Sequence, residues 1–310
     1  PEVDRVEILT VLDNVVDLLM AGSETVRRVD IAGTAGEGRS TLRAEHGFSS
    51  LVTVVHGDRK ESLLFDAGMT KHGLLHNLDV LEIRPHDLHA IVLSHGHTDH
   101  VAGLMGLLSR TGRRRLPLLL HPDAFLRRKI VLPDGRELLA PPPDRRDLEQ
   151  EGVELREERG ASRLLGGLVL VTGQVARTTE FEKGFPIHYA EVNGQWQPDP
   201  LIHDDQAVVI NVRNKGLVVL SGCGHAGIVN TLRHSMAVTG VGRVHAVLGG
   251  FHLTGRLFEP LIPLTVAALA EMSPKLIVPA HCTGWKATHE IAKALPEAFV
   301  PNSVGTVFQV

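Results

Sequence analysis

The stretch Ala90-Ile91-Val92-Leu93-Ser94-His95-Gly96-His97-Thr98-Asp99-His100 decides the reading of this chain. It opens on a continuous apolar run, the pattern of a strand buried on both faces of a sheet. It closes on four potential metal ligands within six residues: His95, His97, Asp99 and His100. A cluster this dense is poorly explained as a surface turn. In open α/β sheets, sites gather beyond the carboxyl ends of strands. A tight turn into a helix from Val101 to Ser109 would aim His95 and His97 at one point, and Asp99 and His100 at a neighbouring one. Imidazole and carboxylate donors suit zinc first, with iron or manganese as alternatives.

Working outward, the same placement recurs. Apolar strands at 216–220, 244–248 and 276–278 run into Ser221-Gly222-Cys223-Gly224-His225, Gly249-Gly250-Phe251-His252 and Pro279-Ala280-His281. Each delivers a histidine at its C-terminal end. One such histidine is ordinarily structural. The joint pattern, in a chain of 18 histidines, points to a metal centre. Cys223 and Cys282 lie beside these histidines and read as small buried packing residues. His188, His203 and Asp204 are candidates for the substrate rim. His46, His56, His76 and His234 read as ordinary.

Periodicity supplies the frame. A first strand spans 6–12. Residues 49–55 and 62–66 form a hairpin around Gly57-Asp58. A helix covers 71–81, and strands follow at 116–120, 153–156 and 167–172. A second hairpin joins 206–212 to 216–220. Helices cover 228–238, 261–272 and 288–295, and a last strand spans 304–310. The segments 133–150 and 176–203 show no periodicity and are expected as loop insertions. These elements predict an α/β fold: one domain over 1–310, a four-layer αβ/βα sandwich of two mixed sheets with outer helices.

Composition narrows the function. With 43% hydrophobic and 22% charged residues the chain is globular rather than disordered. A net charge of −4 gives no footing for nucleic acid. The basic runs Arg113-Arg114-Arg115 and Arg127-Arg128-Lys129 read as solvated helix ends or loops. No apolar run reaches the roughly 18 residues of a membrane span. Two cysteines make no disulfide framework and fit a reducing compartment. The expectation is a cytoplasmic enzyme with a small-molecule substrate.

The Asp66-Ala67-Gly68 turn, the His95/His97/Asp99/His100 cluster, His225 and His281 together resemble the metallo-β-lactamase superfamily over about residues 50–285. Asp204-Asp205-Gln206-Ala207, the run from Ser221 to Asn230, Leu248 to Leu253 and Ala280 to Gly284 look like its dihydropterin–ribofuranosylaminobenzene-phosphate synthase-like branch. The resemblance implies the αβ/βα sandwich and one or two divalent metal ions. It implies that His95, His97 and His225 hold one metal, and that Asp99, His100 and His281 hold the other. His252 falls where most of the superfamily has a bridging aspartate; a neutral imidazole offers one lone pair, so His252 is expected to ligate a single metal. Asp66 is expected to hydrogen-bond the ligand loop without ligating. The chemistry implied is hydrolysis of an ester, lactone, amide or phosphoester by a metal-bound hydroxide, with Asp99 orienting the water and accepting its proton. The alternatives are a synthase-like transferase on a pterin and a phosphorylated ribosyl aniline, with Arg177 and Lys183 as phosphate contacts, or a diiron redox protein.

Overall fold

The computed structural model describes residues 1–29, 41–112 and 115–310. Arg113 and Arg114 of the first basic run lie outside the described residues. In chain order the first part runs β1 (Arg5–Leu12), β2 (Val26–Arg27), β3 (Ser49–His56), β4 (Arg59–Phe65), α1 (Lys71–Val80), β5 (Ala90–Val92), α2 (Thr98–Val101), α3 (Leu104–Thr111) and β6 (Pro117–Leu120). The middle adds β7 (Arg128–Val131), β8 (Glu137–Ala140), α4 (Arg145–Gln150), β9 (Glu154–Glu157), β10 (Ser162–Leu164), β11 (Val169–Val171), β12 (His188–Val192) and β13 (Gln195–Pro198). The last part holds β14 (Ala207–Val212), β15 (Gly216–Ser221), α5 (Ile228–Thr239), β16 (Val244–Gly250), α6 (Ile262–Met272), β17 (Leu276–Ala280), α7 (Trp285–Ala294) and β18 (Val307–Gln309).

Two large mixed sheets face each other. One has the order β2-β18-β1-β3-β4-β5-β6-β9, the other β10-β11-β14-β15-β16-β17. The strand alternation shows why they stack. In β14, Val208, Ile210 and Val212 join the core between the sheets, while Ala207 and Val209 join the core beneath the helices. In β15, Val218 and Leu220 point inward, and Leu217 and Val219 point outward. Strands buried on both faces need apolar residues on both, which is why they read as unbroken apolar runs. Helices α1 and α3 cover the outer face of the first sheet, and α5, α6 and α7 that of the second. This is the expected four-layer sandwich.

The parallel parts of the sheets position the site. Ser221 pairs with Gly249, and Gly250 with Ala280, so β15, β16 and β17 end level with one another. Phe65 pairs with Val92, so β4 and β5 also end together.

Three local expectations are corrected. The helix after the ligand cluster begins at Thr98 rather than Val101 and breaks between α2 and α3. At the break, a Cβ on Gly103 would lie 2.1 Å from the Ala67 carbonyl oxygen, so the backbones touch there. The segments 133–150 and 176–203 are not bare loops: they carry β8, β12 and β13, which with β7 form a third antiparallel sheet of order β13-β12-β7-β8. Its strands are short and half-exposed, so their side chains lack a strong alternating pattern. Arg128, read as solvated, is 1% exposed.

Candidate metal centre

The site forms where the level strand ends of the two sheets meet. On the first sheet, β5 ends at Val92 and the chain turns through Ser94 to the ligand loop. Asp66, just past β4, organises that turn. Its Oδ1 accepts the Ser94 N–H at 2.7 Å, and its Oδ2 accepts the Ser94 hydroxyl at 2.7 Å. The same Oδ2 lies 2.6 Å from His100 Nδ1. Asp66 is wholly buried, and these bonds fix both the turn and the His100 ring. The Ser94 hydroxyl also meets His95 Nδ1 at 2.8 Å, which leaves His95 Nε2 facing away from it with no hydrogen-bond partner among the described residues.

The imidazoles crowd together. His97 Nδ1 lies 3.2 Å from His225 Nε2, and His100 Nε2 lies 3.2 Å from His281 Nε2. The His95 ring centroid is 4.5 Å from that of His97, 4.3 Å from His100 and 4.9 Å from His225. Asp99 Oδ2 stands 3.1 Å from His281 Nε2 and 3.7 Å from His100 Nε2. Thus all of His95, His97, Asp99, His100, His225 and His281 are brought together.

Backbone strain marks the same place. Asp66, His252 and His281 adopt φ of 61°, 43° and 48°, a left-handed conformation that non-glycine residues rarely hold. His281 is clamped on both sides: its N–H donates to Asp13 Oδ1 at 2.8 Å, and its carbonyl accepts from Asn14 Nδ2 at 2.9 Å. These two residues end β1 and were legible only as a strand terminus. The glycine before Cys223 is required by space, since a Cβ on Gly222 would lie 2.2 Å from the Ser94 hydroxyl.

Electrostatics prepare the donors. Burial, reinforced by neighbouring histidines, holds His95 and His225 well below the ordinary histidine value. Burial and Arg128 do the same for His97. These rings are neutral and keep a lone pair for a cation. His100 differs: burial depresses it, but Asp66 and Asp99 outweigh burial and raise it to about 9. Burial likewise pushes Asp99 up, yet His100 and His281 hold its carboxylate below the usual range.

The donor set fits a divalent cation. His95 Nε2, His225 Nδ1 and His281 Nδ1 are buried nitrogens without hydrogen-bond partners among the described residues. Such atoms are costly unless something satisfies them. Groups of donors whose atoms lie within 4.8 Å of one another are His95/Cys223/His225, His100/Cys223/His281, Cys223/His252/Cys282 and His46/Asp99/His281.

Several residues sit elsewhere than expected. His252 stands on the His225 side of the cluster: its ring centroid is 4.2 Å from that of His225 and 4.4 Å from that of Phe258, and its Nδ1 lies 3.5 Å from Cys223 Sγ. His188 is buried rather than on a rim, with Nε2 2.9 Å from His97 Nε2. Asp204 is also fully buried. It pairs with Arg128 and accepts the Gly96 N–H at 2.8 Å, so the third sheet grips the ligand loop through β7. His203 is half-buried and has no hydrogen bond or ring contact with the cluster among the described residues. Arg177 donates to the His225 carbonyl at 3.1 Å and to the Leu201 carbonyl, which commits its guanidinium to backbone. Two further residues join the site unexpectedly. His46 stacks on His281 at 5.0 Å, and Cys223 belongs to both histidine groups. The signal for Cys223 was available: it follows an apolar strand end, as the ligand histidines do.

This fold and this cluster define a class, and the chain belongs to the metallo-beta-lactamase superfamily, whose family model matches residues 46–173. Among individual proteins, it is 31% identical over 277 residues to 7,8-dihydropterin-6-methyl-4-(beta-D-ribofuranosyl)-aminobenzene-5'-phosphate synthase of Methanocaldococcus jannaschii, covering 87% of this chain and 92% of that protein. A second, uncharacterized protein of the same organism is 27% identical over 272 residues, covering 86% and 94%. Among solved structures, Tm1679, a metal-dependent hydrolase of the beta-lactamase superfamily, matches with a TM-score of 0.73 and 24% identity over 98% of both chains. That likeness concerns the fold. No helix among the described residues is long and apolar enough to cross a membrane.

Proposed function

We propose that the protein is a metal-dependent hydrolase acting on an ester, lactone, amide or phosphoester bond of a small molecule, with zinc the first metal to test. The observation that carries this reading is the gathering of His95, His97, His100, His225 and His281 with the Asp99 carboxylate at the strand ends, three of these rings carrying a buried nitrogen without a partner among the described residues. A divalent cation supplies Lewis acidity there and brings the ionisation of water toward neutral pH.

The chain's own residues do the rest. His95, His97 and His225 would hold one ion, and Asp99, His100 and His281 a second. Asp66 and Ser94 fix the rings of His100 and His95. Asp99, whose side chain is 20% exposed, would orient the attacking water with an ion in place. Its carboxylate would then accept the water's proton and pass it on. His46, exposed and 3.7 Å from Asp99, lies on the way to solvent. Phe185 and Phe258 wall the His225 and His252 side with apolar surface. His225, Phe251, His252 and Phe258 line a narrow apolar cleft there.

The test is a zinc-, manganese- or iron-loaded enzyme assayed against lactone, ester, amide and phosphoester panels in ¹⁸O-water. Turnover of one class with label in the product is expected. Full loading with no turnover anywhere overturns the reading. A second reading, a synthase-like condensation of a pterin with a phosphorylated ribosyl aniline, is favoured by the 31% identity to the M. jannaschii synthase. Detection of that condensed product would replace hydrolysis.

A further inference from the structure

We propose that the Cys223 thiolate is the ligand shared by the two halves of the metal centre. The inference rests on the metal-centre reading above and goes beyond it in naming a sulfur donor.

The argument is geometric. Two cations held by His95 with His225, and by His100 with His281, need a donor between them that can serve both. Cys223 is the residue common to these two groups, its sulfur lying within 4.8 Å of the donor atoms in each. Bonds of about 2.0–2.3 Å from nitrogen and sulfur to zinc are compatible with that spacing after small side-chain rotations. An imidazole cannot take the role, because its one available lone pair serves one ion. A thiolate has several lone pairs and a negative charge. It also raises the number of anionic donors from Asp99 alone to Asp99 and Cys223.

The surroundings are built for it. Cys223 is 3% exposed and follows the end of β15, with its neighbour Gly222 pressed against Ser94. Three histidines grouped with it, His95, His225 and His281, each carry a buried nitrogen without a partner among the described residues. Cys282 Sγ lies 3.0 Å from both the sulfur and the carbonyl oxygen of Cys223, so Cys282 acts as a positioning residue that holds the shared sulfur in place. His252 Nδ1 approaches the same sulfur at 3.5 Å while its ring packs on His225.

The experiment uses the full chain stripped with a chelator and titrated with cobalt(II) alone, reading visible d–d bands, the near-ultraviolet sulfur-to-cobalt charge-transfer band and bound cobalt per chain. The wild type is expected to show both kinds of band and two cobalt ions. Cys223→Ser should lose the charge-transfer band and one ion. Cys223→Asp should lose the band and keep both ions, since a carboxylate also spans two cations. Cys282→Ala should keep the band, shifted. Wild-type protein with d–d bands but no charge-transfer band overturns the proposal, as does a band that survives Cys223→Ser or vanishes in Cys282→Ala. Wild-type protein that binds no cobalt removes the metal centre itself, and this inference with it. Should Cys223→Ser fail to fold, the wild-type spectrum and Cys223→Asp still decide.

Discussion

The ligand loop of the first sheet and the strand ends of the second deliver similar donors by different means. In the loop, one turn between β5 and α2 carries His95, His97, Asp99 and His100, and side-chain bonds hold it: Asp66 to Ser94 and His100, and the Arg128–Asp204 pair to Gly96. At the strand ends, Cys223, His225, His252 and His281 come from three strands, placed by sheet register and by left-handed backbone at His252 and His281. Concentrated donors on polar clamps should fail together when one clamp is cut. Dispersed donors anchored by the sheets should fail one at a time.

The strongest way to break this contrast is to remove a loop donor. His97→Ala should lose metal and activity together, with kcat/KM falling about ten-thousandfold, roughly 5.4 kcal/mol. Elemental analysis of the purified variant checks it: full metal content would remove His97 from the donor set. Next comes the clamp. Asp204→Asn leaves Arg128 buried with Asp199 as its remaining carboxylate partner, so stability should fall by about 3 kcal/mol, the lower end of the range for a broken buried pair. The pH dependence has a definite sign. Burial raises Asp204, but Arg128 and the Gly96 N–H more than reverse this and leave it below its ordinary value. A depressed carboxyl stabilises the fold above its unfolded pKa of about 3.9 and loses that contribution as pH falls through the folded value. Denaturant unfolding should therefore show the wild type losing ground on Asp204→Asn below about pH 4.

The same contrast explains what the sequence could show. The loop cluster and the paired strand registers were legible because buried parallel strands are apolar on both faces and carry their functional residues at their ends. The sandwich followed from that pattern. Three things were hidden. The third sheet is short and half-exposed, so it left no alternation in 133–150 or 176–203. Arg128 looked solvated because its partners, Asp199 and Asp204, lie about seventy residues away and only the fold brings them together. The grouping of Cys223 with the histidines was hidden, since spacing along the chain says that it sits at a strand end but not which way its side chain faces.

Two intermediate effects sharpen the comparison. Metal removal should lower the unfolding free energy by about 2.7 kcal/mol when free metal stood at 100 times its Kd, read as a lower Tm with chelator. An unchanged Tm would mean that the orphaned nitrogens are satisfied without metal. Asp66→Asn keeps the shape but frees His100, and the loss of such an outer partner typically weakens metal binding about 10–100-fold. Competition with a chromophoric chelator measures this; unaltered affinity would show that packing alone orients His100.

The smallest effect should come from His252→Ala. Its ring packs on His225 and Phe258, and its Nδ1 reaches Cys223 Sγ. Losing it removes one contact to a sulfur that Cys282 also holds. The position is half-buried, and alanine at φ 43° keeps the same unfavourable backbone, so little stability is regained. Metal affinity should therefore fall less than about tenfold, roughly 1.4 kcal/mol, far less than for His97→Ala. Calorimetric titration of both variants with zinc compares them directly. Equal losses would restore His252 to the centre of the site, and would show that strand-end donors fail together as the loop donors do.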